Sequence, residues 1–395
     1  MKKIFLIITF ALLAFIRSVY AQNSSDTVAY LITCNPGTEV YSIYGHSALR
    51  IVDNFSGTDM VYNWGVFDFG TPNFAWKFAC GRLDYMLEST TMERFLQTYH
   101  YEERGVMQQK INLTPGSIRR LVELVNENMK PENVKYRYDF FNDNCATRIR
   151  DILEKSSGGT IHYPPDFDAD MRTFRDLLDD CQKPYPWLRT AINIALGLPA
   201  NKKATFSQSM FLPLELQERL SQSVINIDGR MVPLLQNPST IVDYAMPAVK
   251  SSRLLVPETA LTLLLIVLVA IIPFIRKKTV VKSVDIFIFF AFSIFAALML
   301  FFNFFTGLEQ TKMNIHILWL NPFIIPCLVS LLVNRAGVIW FRLVFFTSVL
   351  SLAVSVVLMH SISAIIPACL ILAFRSSARS AFSWNPFTVN DNILI

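Results

Sequence analysis

Two residue types in this chain carry chemistry. Cys145 stands in Asp143-Asn144-Cys145-Ala146-Thr147-Arg148-Ile149-Arg150, a polar run opening a predicted helix, and His46 stands in Tyr44-Gly45-His46-Ser47 at the start of a predicted strand. A thiol at a helix N-terminus is poised to ionise, because unpaired backbone N–H groups and the helix dipole stabilise negative charge there. Cys145 is therefore the candidate nucleophile and His46 the candidate base. Cysteines are more often inert packing and histidines more often structural. Here Asn142 and Asn144 mark a helix start where caps belong, and Gly45 lets backbone approach His46 closely.

A base of this kind needs an acceptor at its far ring nitrogen. Val28 to Cys34, Ser47 to Val52 and Met60 to Phe69 read as strands, the last two joined by the turn-rich Asn54-Phe55-Ser56-Gly57-Thr58-Asp59. Pairing about that turn brings His46 near Phe67 and Asp68, whereas a bulge brings Asn63 closer, so Asn63 and Asp68 both stand as candidates. The backbone N–H of Cys145 and the Tyr44 hydroxyl are candidate oxyanion donors, with Asn144 beside them. Arg148 and Arg150 read as a solvated helix face, with phosphate-headgroup binding the sharper alternative. No Cys/His cluster has metal-ligand spacing, and neither a metal nor a cofactor is expected.

Around these residues the composition is uneven. The 395 residues are 52% hydrophobic and 17% charged, with 32 Phe, too apolar for an ordinary soluble protein. Residues 1–21 read as a secretory signal peptide: Lys2 and Lys3, an apolar run from Ile4 to Ile16, then Ser18-Val19-Tyr20-Ala21. Five membrane spans are predicted: Glu258 to Ile275, Val284 to Phe305, His316 to Val333, Ile339 to Met359 and Ile362 to Phe374. Basic residues follow the first span (Arg276, Lys277, Lys278, Lys282), flank the third and fourth (Arg335, Arg342) and follow the fifth (Arg375, Arg379). With five spans they share one side, which the positive-inside rule makes cytoplasmic, C-terminus included. The formal charge of +5 then calls for no nucleic acid. His316 and His360 fall at the outer ends of spans, as interfacial residues or as a ceiling over the exported site.

The expected organisation is a signal peptide (1–21), a catalytic α+β domain (22–160), a mostly helical extension and linker (161–253) and an all-α transmembrane domain (254–395). Thr114-Pro115 reads as a helix start, and Trp187 to Leu198 and Leu214 to Val224 read as helices. Trp187, Phe206, Met210 and Phe211 read as core of the exported domain, with membrane contact as the alternative. Cys34, Cys80, Cys145 and Cys181 fall in the exported part, where a Cys34–Cys80 disulfide is permitted, and Cys327 and Cys369 in the membrane part.

The order of Tyr44-Gly45-His46-Ser47 followed about a hundred residues later by Asn144-Cys145 resembles circularly permuted papain-like proteins, the group that includes lecithin:retinol acyltransferases. More closely, Gly45-His46-Ser47-Ala48-Leu49-Arg50, Tyr62-Asn63-Trp64-Gly65, Phe67-Asp68-Phe69 and Tyr138 to Arg148 resemble the exported domain of the Lnb-type lipoprotein N-acyltransferases of Bacteroidetes. That similarity covers Val28 to Ser157, and the membrane block fits in architecture. It implies acyl transfer from phospholipid to the free α-amine of a diacylglyceryl-cysteine, in a bacterial inner-membrane protein, with Cys145 as nucleophile and His46 as base. Two other functions stay open: a hydrolase of related fold cutting peptidoglycan peptides or lipid esters, and a non-enzymatic membrane receptor or assembly factor with Cys145 as packing.

Overall fold

In the computed structural model, residues 27–166, 171–245, 256–335, 337–358 and 364–380 are described. The signal peptide and His360 lie outside them. The chain divides into two compact units, one made of residues up to Leu177 plus Lys203–Ala248, the other of Leu178–Lys202 plus Val249 onward.

Alternating apolar residues build the sheet of the first unit. Its strands are β1 (Thr27–Cys34), β2 (His46–Asp53), β3 (Thr58–Val66), β4 (Asp84–Thr91), β5 (Val106–Lys110), β6 (Lys135–Arg137) and, after an excursion, β10 (Ser239–Val242). They form one antiparallel sheet in the order β10-β5-β1-β2-β3-β4-β6. A smaller sheet joins β7 (Ile161–His162), β8 (Val224–Ile227) and β9 (Arg230–Pro233).

Helices cover both faces of the large sheet, because each face carries every second side chain and both sets are apolar. Helix α1 (Phe74–Ala79) lies between β3 and β4, and α2 (Met92–Tyr101) packs Met92, Phe95 and Tyr99 onto Ile32, Ala48 and Val61. On the other face, Leu31, Leu49, Trp64 and Leu87 meet α3 (Pro115–Asn128), α4 (Cys145–Ser157) and, later in the chain, α8 (Pro213–Gln222). Helix α3 starts as its residue types dictate, with Thr114 as cap and Pro115 in the first turn. Helix α4 buries Cys145, Ile149, Ile152, Leu153 and Ser156 at helical spacing and ends where Gly158 turns left-handed at φ 63°.

Between these come α5 (Phe174–Gln182), α6 (Pro186–Ala195) and α7 (Phe206–Ser209). The described residues within 161–253 thus hold helices α5 to α8 together with strands β7 to β10. Residues 203–248 fold back onto the first unit and supply β8, β9 and β10, while 178–202 belong to the second. Strand β10 explains why: β5 would otherwise be an unpaired sheet edge. Met210 and Phe211 are core as expected, whereas Trp187 is 56% exposed. All six cysteines are free thiols, so the permitted Cys34–Cys80 bridge is absent.

The second unit also contains α9 (Pro257–Ile271), α10 (Lys278–Phe304), α11 (Ile324–Leu332), α12 (Val338–Leu358) and α13 (Ile365–Arg379). Helices long and apolar enough to cross a bilayer include Pro257–Phe274, with its last turn 3-10, and Lys278–Phe304. The predicted third span is not one helix. Residues Ile315–Leu318 form a 3-10 turn, and the nine-residue α11 starts afresh after Asn321-Pro322. Pro322 has no N–H to give a continuing helix, and the Asn321 side chain takes over, accepting from Phe323 N and donating to Leu318 O and Thr347 Oγ1. Nine helical residues reach only about 14 Å, half a hydrocarbon core.

Candidate active site

Both chemical residues sit at ends of elements. Asn144 caps α4 through a capping box: its Oδ1 accepts from Ala146 N (2.8 Å) and Thr147 N (3.0 Å), while Thr147 Oγ1 accepts from Asn144 N (2.8 Å). Its Nδ2 donates to the carbonyls of Phe140 (2.7 Å) and Phe211 (2.9 Å). With the side chain so engaged, Asn144 holds the loop that sets Cys145 at the first helical position and does not present a donor to a substrate. Asn144→Ala is expected to destabilise the protein by about 2–4 kcal/mol, the lost cap together with two carbonyls left short of donors. Thermal unfolding of the full-length protein in detergent measures this.

His46 opens β2, immediately after Gly45 at φ 78°. A Cβ on Gly45 would lie 2.8 Å from the Cys34 carbonyl oxygen, so only glycine leads the chain into β2 here. The β2–β3 ladder has Leu49 opposite Tyr62. Continued, that register sets His46 across from Gly65, with Asn63 on the adjacent diagonal of the same face. Gly65, at φ 93°, bulges β3 against β4, and a Cβ there would lie 3.7 Å from the Cys145 Cβ. The bulge leaves room for the nucleophile beside the strand.

Three site side chains meet at this point. His46 Nε2 is 2.5 Å from Asn63 Oδ1, and the His46 ring stands close enough to the Cys145 side chain for each charge to act on the other. The backbone N–H groups of Ser47 and Ala146 lie on the side of the sulfur and favour its charged form, the Ala146 N–H itself being given to Asn144 Oδ1. Cys145 is only 9% exposed. Burial opposes the charged form of both groups, but each charge stabilises the other, and the net result holds the thiol below its ordinary pKa and the imidazole above its own. The pair thus favours thiolate and imidazolium, the arrangement of an activated sulfur nucleophile.

Other candidates stand elsewhere. Asp68 accepts from Gly70 N (2.7 Å) in an exposed turn beyond the end of β3; of the two residues considered for the histidine ring, Asn63 is the one beside it. Arg148 is neither a free solvated face nor a free headgroup ligand. It forks onto Asp143 (Nε 2.5 Å, Nη2 2.8 Å) and lies 3.7 Å over the Tyr136 ring. Arg150 is likewise held by Asp151 and the Ser207 carbonyl. The Tyr44 ring packs edge-on against Phe140 with centroids 5.0 Å apart. His316 is buried in the second unit and accepts from Trp319 Nε1 at 3.2 Å. Sequence reasoning missed Tyr136 and Tyr138, whose ionisation burial and then the nearby Cys145 both oppose. It also missed the Ser47 and Ala146 amides, which have no residue-type signature. Tyr138 lay within the matched run Tyr138 to Arg148, and its two-residue offset from Tyr136 on an edge strand was the available signal.

Replacing Asn63 by alanine removes one of the contacts that raise the His46 pKa. Activity that requires thiolate with imidazolium rises as Cys145 deprotonates and falls as His46 deprotonates, giving a bell-shaped pH profile. In Asn63→Ala the alkaline limb is expected to move to lower pH, with a rate loss of roughly 10- to 150-fold for a hydrogen bond to a charged group worth about 1.5–3 kcal/mol. An unmoved alkaline limb in the acylation rate of Cys145 would show that Asn63 does not act through His46.

The three residues of this candidate site occur in the order His46, Asn63, Cys145, a rotation of the papain order in which cysteine comes first. Curated proteins and solved structures gave no match to the chain. Two family models match: the Lnb N-terminal periplasmic domain over residues 15–179 and the Lnb transmembrane domain over residues 250–384. The first spans the whole of the site above and the second the apolar helices, in the same order along one chain, and this protein belongs to the Lnb family, membrane proteins with a periplasmic N-terminal domain.

Proposed function

We propose that this protein is a lipoprotein N-acyltransferase that moves a fatty acyl chain from phospholipid, through a thioester on Cys145, to the α-amine of an N-terminal diacylglyceryl-cysteine. The observation that carries this reading is the placement of Cys145 at a capped helix N-terminus against the Gly65 bulge, where His46, its ring held by Asn63, enters β2 across from it.

In the first step the Cys145 thiolate attacks the ester carbonyl of a phospholipid. The C–S bond forms, the ester C–O bond breaks, and the leaving lysophospholipid oxygen takes the proton held at His46. In the second step the acceptor amine attacks the thioester. A C–N bond forms, the C–S bond breaks, His46 takes the amine proton, and the thiolate is restored. The backbone N–H of Cys145, at the first position of the capped helix, is the donor that would meet the oxyanion of each tetrahedral intermediate. No step consumes an oxidant, a metal or a cofactor.

A membrane tether suits both substrates. Ester carbonyls lie at the bilayer interface and the acceptor is held there by its own two chains, so the search for substrate becomes local. The basic clusters around Arg276 and Arg335 favour a cytoplasmic C-terminus in the inner membrane.

Incubating the purified full-length protein with phospholipid and a diacylated lipopeptide bearing a free amine tests this. Mass spectrometry is expected to find acyl on Cys145 and then on the lipopeptide amine. Acyl on neither removes the transferase reading. Free fatty acid released without any dependence on the amine would make the protein a hydrolase instead.

A further inference from the structure

After β3 the chain leaves the sheet through a turn closed by Thr71 N to Asp68 O (3.1 Å) and forms α1, a six-residue helix in which no residue is buried. Its composition does not suit water. Phe69 is 74% exposed, Trp76 60% and Phe78 55%. Scattered apolar residues on a surface are ordinary, but three large aromatic rings gathered on one short projecting segment mark a contact site.

These rings are ordered among themselves. Phe69 and Phe74 have centroids 5.0 Å apart, Phe74 and Phe78 stack at 6.1 Å, and Phe67 meets Phe69 at 5.0 Å and Phe74 at 5.7 Å. From Phe67 the row runs inward, to Tyr85 at 5.2 Å and from Tyr85 to Tyr138, stacked at 4.3 Å. Phe67, Phe74 and Tyr138 pack against the apolar cluster that contains Tyr85 and Cys145. An unbroken row of aromatic faces thus leads from an exposed tip to the neighbourhood of the nucleophile. Basic residues frame the tip: Lys77 in the last turn of α1 and exposed Arg82 just beyond, with Asp68 the acidic residue, its carboxylate capped by Gly70 N.

We propose that Phe67–Phe78 is a wedge that enters the periplasmic leaflet of the membrane, with Phe69, Trp76 and Phe78 at the level of the ester groups and Lys77 and Arg82 among the phosphates. Aromatic rings and basic side chains are the residue types that settle at that depth. The same chain carries a transmembrane domain, so the wedge always has a bilayer within reach. The inner rings, from Phe67 to Tyr138, give one acyl chain of a phospholipid an apolar path out of the leaflet, so that its ester reaches Cys145. This path rests on the acyl-transfer reading above, whereas insertion of the tip does not.

The full-length protein, reconstituted in vesicles of phosphatidylethanolamine and phosphatidylglycerol with dibrominated acyl chains, provides the test. The fluorescence that Trp76 contributes, taken as parent minus Trp76→Phe, is expected to fall by about half relative to unbrominated vesicles, as befits an interfacial depth. An unquenched difference spectrum overturns the wedge. The double variant Phe69→Ser/Phe78→Ser, which alters only exposed rings, is expected to acylate Cys145 from vesicle lipid about tenfold more slowly while reacting normally with the water-soluble ester p-nitrophenyl butyrate. Equal loss with both donors makes the rings scaffold and overturns the path. Should the parent be acylated by neither donor while Trp76 is quenched, the acyl-transfer reading fails and the membrane wedge stands.

Discussion

Cys145→Ala is expected to lower formation of triacylated lipopeptide by about ten-thousand-fold or more, the scale on which removing a nucleophile acts when the remaining groups cannot replace it. The loss should fall on the chemical step. Neighbouring Ala146 and Ile149 are fully buried and α4 keeps its Asn144 cap, so deletion of a single sulfur leaves the helix in place. Cys145→Ser sharpens the expectation. A hydroxyl fits the same space, but its far higher pKa puts it out of reach of the pairing that ionises the thiol beside His46. Both variants are expected to fold, to remain in the membrane, and to show no acyl adduct by mass spectrometry. Activity within tenfold of the parent in either variant would make Cys145 a packing residue and assign the chemistry to other groups.

The second large effect is expected on stability, far from the thiol. In the second unit, Asp285 of α10 is fully buried between two arginines of α13: Arg375 Nε donates to Oδ1 at 2.6 Å, and Arg379 Nε donates to Oδ2 at 2.8 Å with its Nη2 in ion-pair contact at 2.7 Å. The arginines are four residues apart and therefore share one helix face. Asp285→Ala leaves two buried guanidinium groups facing each other with no counter-charge. Breaking such a cluster by removing one partner costs about 3–5 kcal/mol, which for a unit of this size lowers the melting temperature by roughly 10 °C. Replacing both arginines by methionine in the Asp285→Ala background is expected to recover most of the loss, since apolar substitutes of similar volume remove the uncompensated charge. Thermal unfolding in detergent reads both. An unchanged melting temperature in Asp285→Ala would mean that lipid or water satisfies the arginines.

That cluster also revises how the topogenic charge is counted. Arg375 and Arg379 looked like loop cations after a last span, yet they are buried on α13 and paired internally. The positive-inside argument then rests on Arg276, Lys277, Lys278, Lys282, Arg335 and Arg342. From sequence alone an arginine at a helix end and one inside a helix bundle look the same, because the difference lies in a carboxylate ninety positions away.

Local patterns determined a good deal on their own. The helix starting at Thr114-Pro115, the three strands around the 54–59 turn and the capped start of α4 follow from side chains acting on their own backbone within a few residues. Runs of apolar residues announced the membrane block for the same reason, since hydropathy accumulates along the chain. The break at Asn321-Pro322 escaped that reading, which ran one span from His316 to Val333, because hydropathy does not register the N–H that a proline lacks.

Only the tertiary structure decided what depends on register and return paths. Whether Asn63 or Asp68 meets the His46 ring hangs on where β3 stops pairing: the strand ends at Val66 and leaves Asp68 in an exposed turn, so the acceptor is Asn63. A one-residue difference in pairing moves every side chain to the opposite face, and propensity does not resolve one residue. Likewise no local feature marks residues 239–242 as the outermost strand of a sheet begun two hundred residues earlier, or ties the Phe211 carbonyl to Asn144. The chain spells out its candidate nucleophile, its candidate base and its apolar membrane block residue by residue; their mutual placement is a property of contacts distant in sequence, which exist only once the sheet has closed around them.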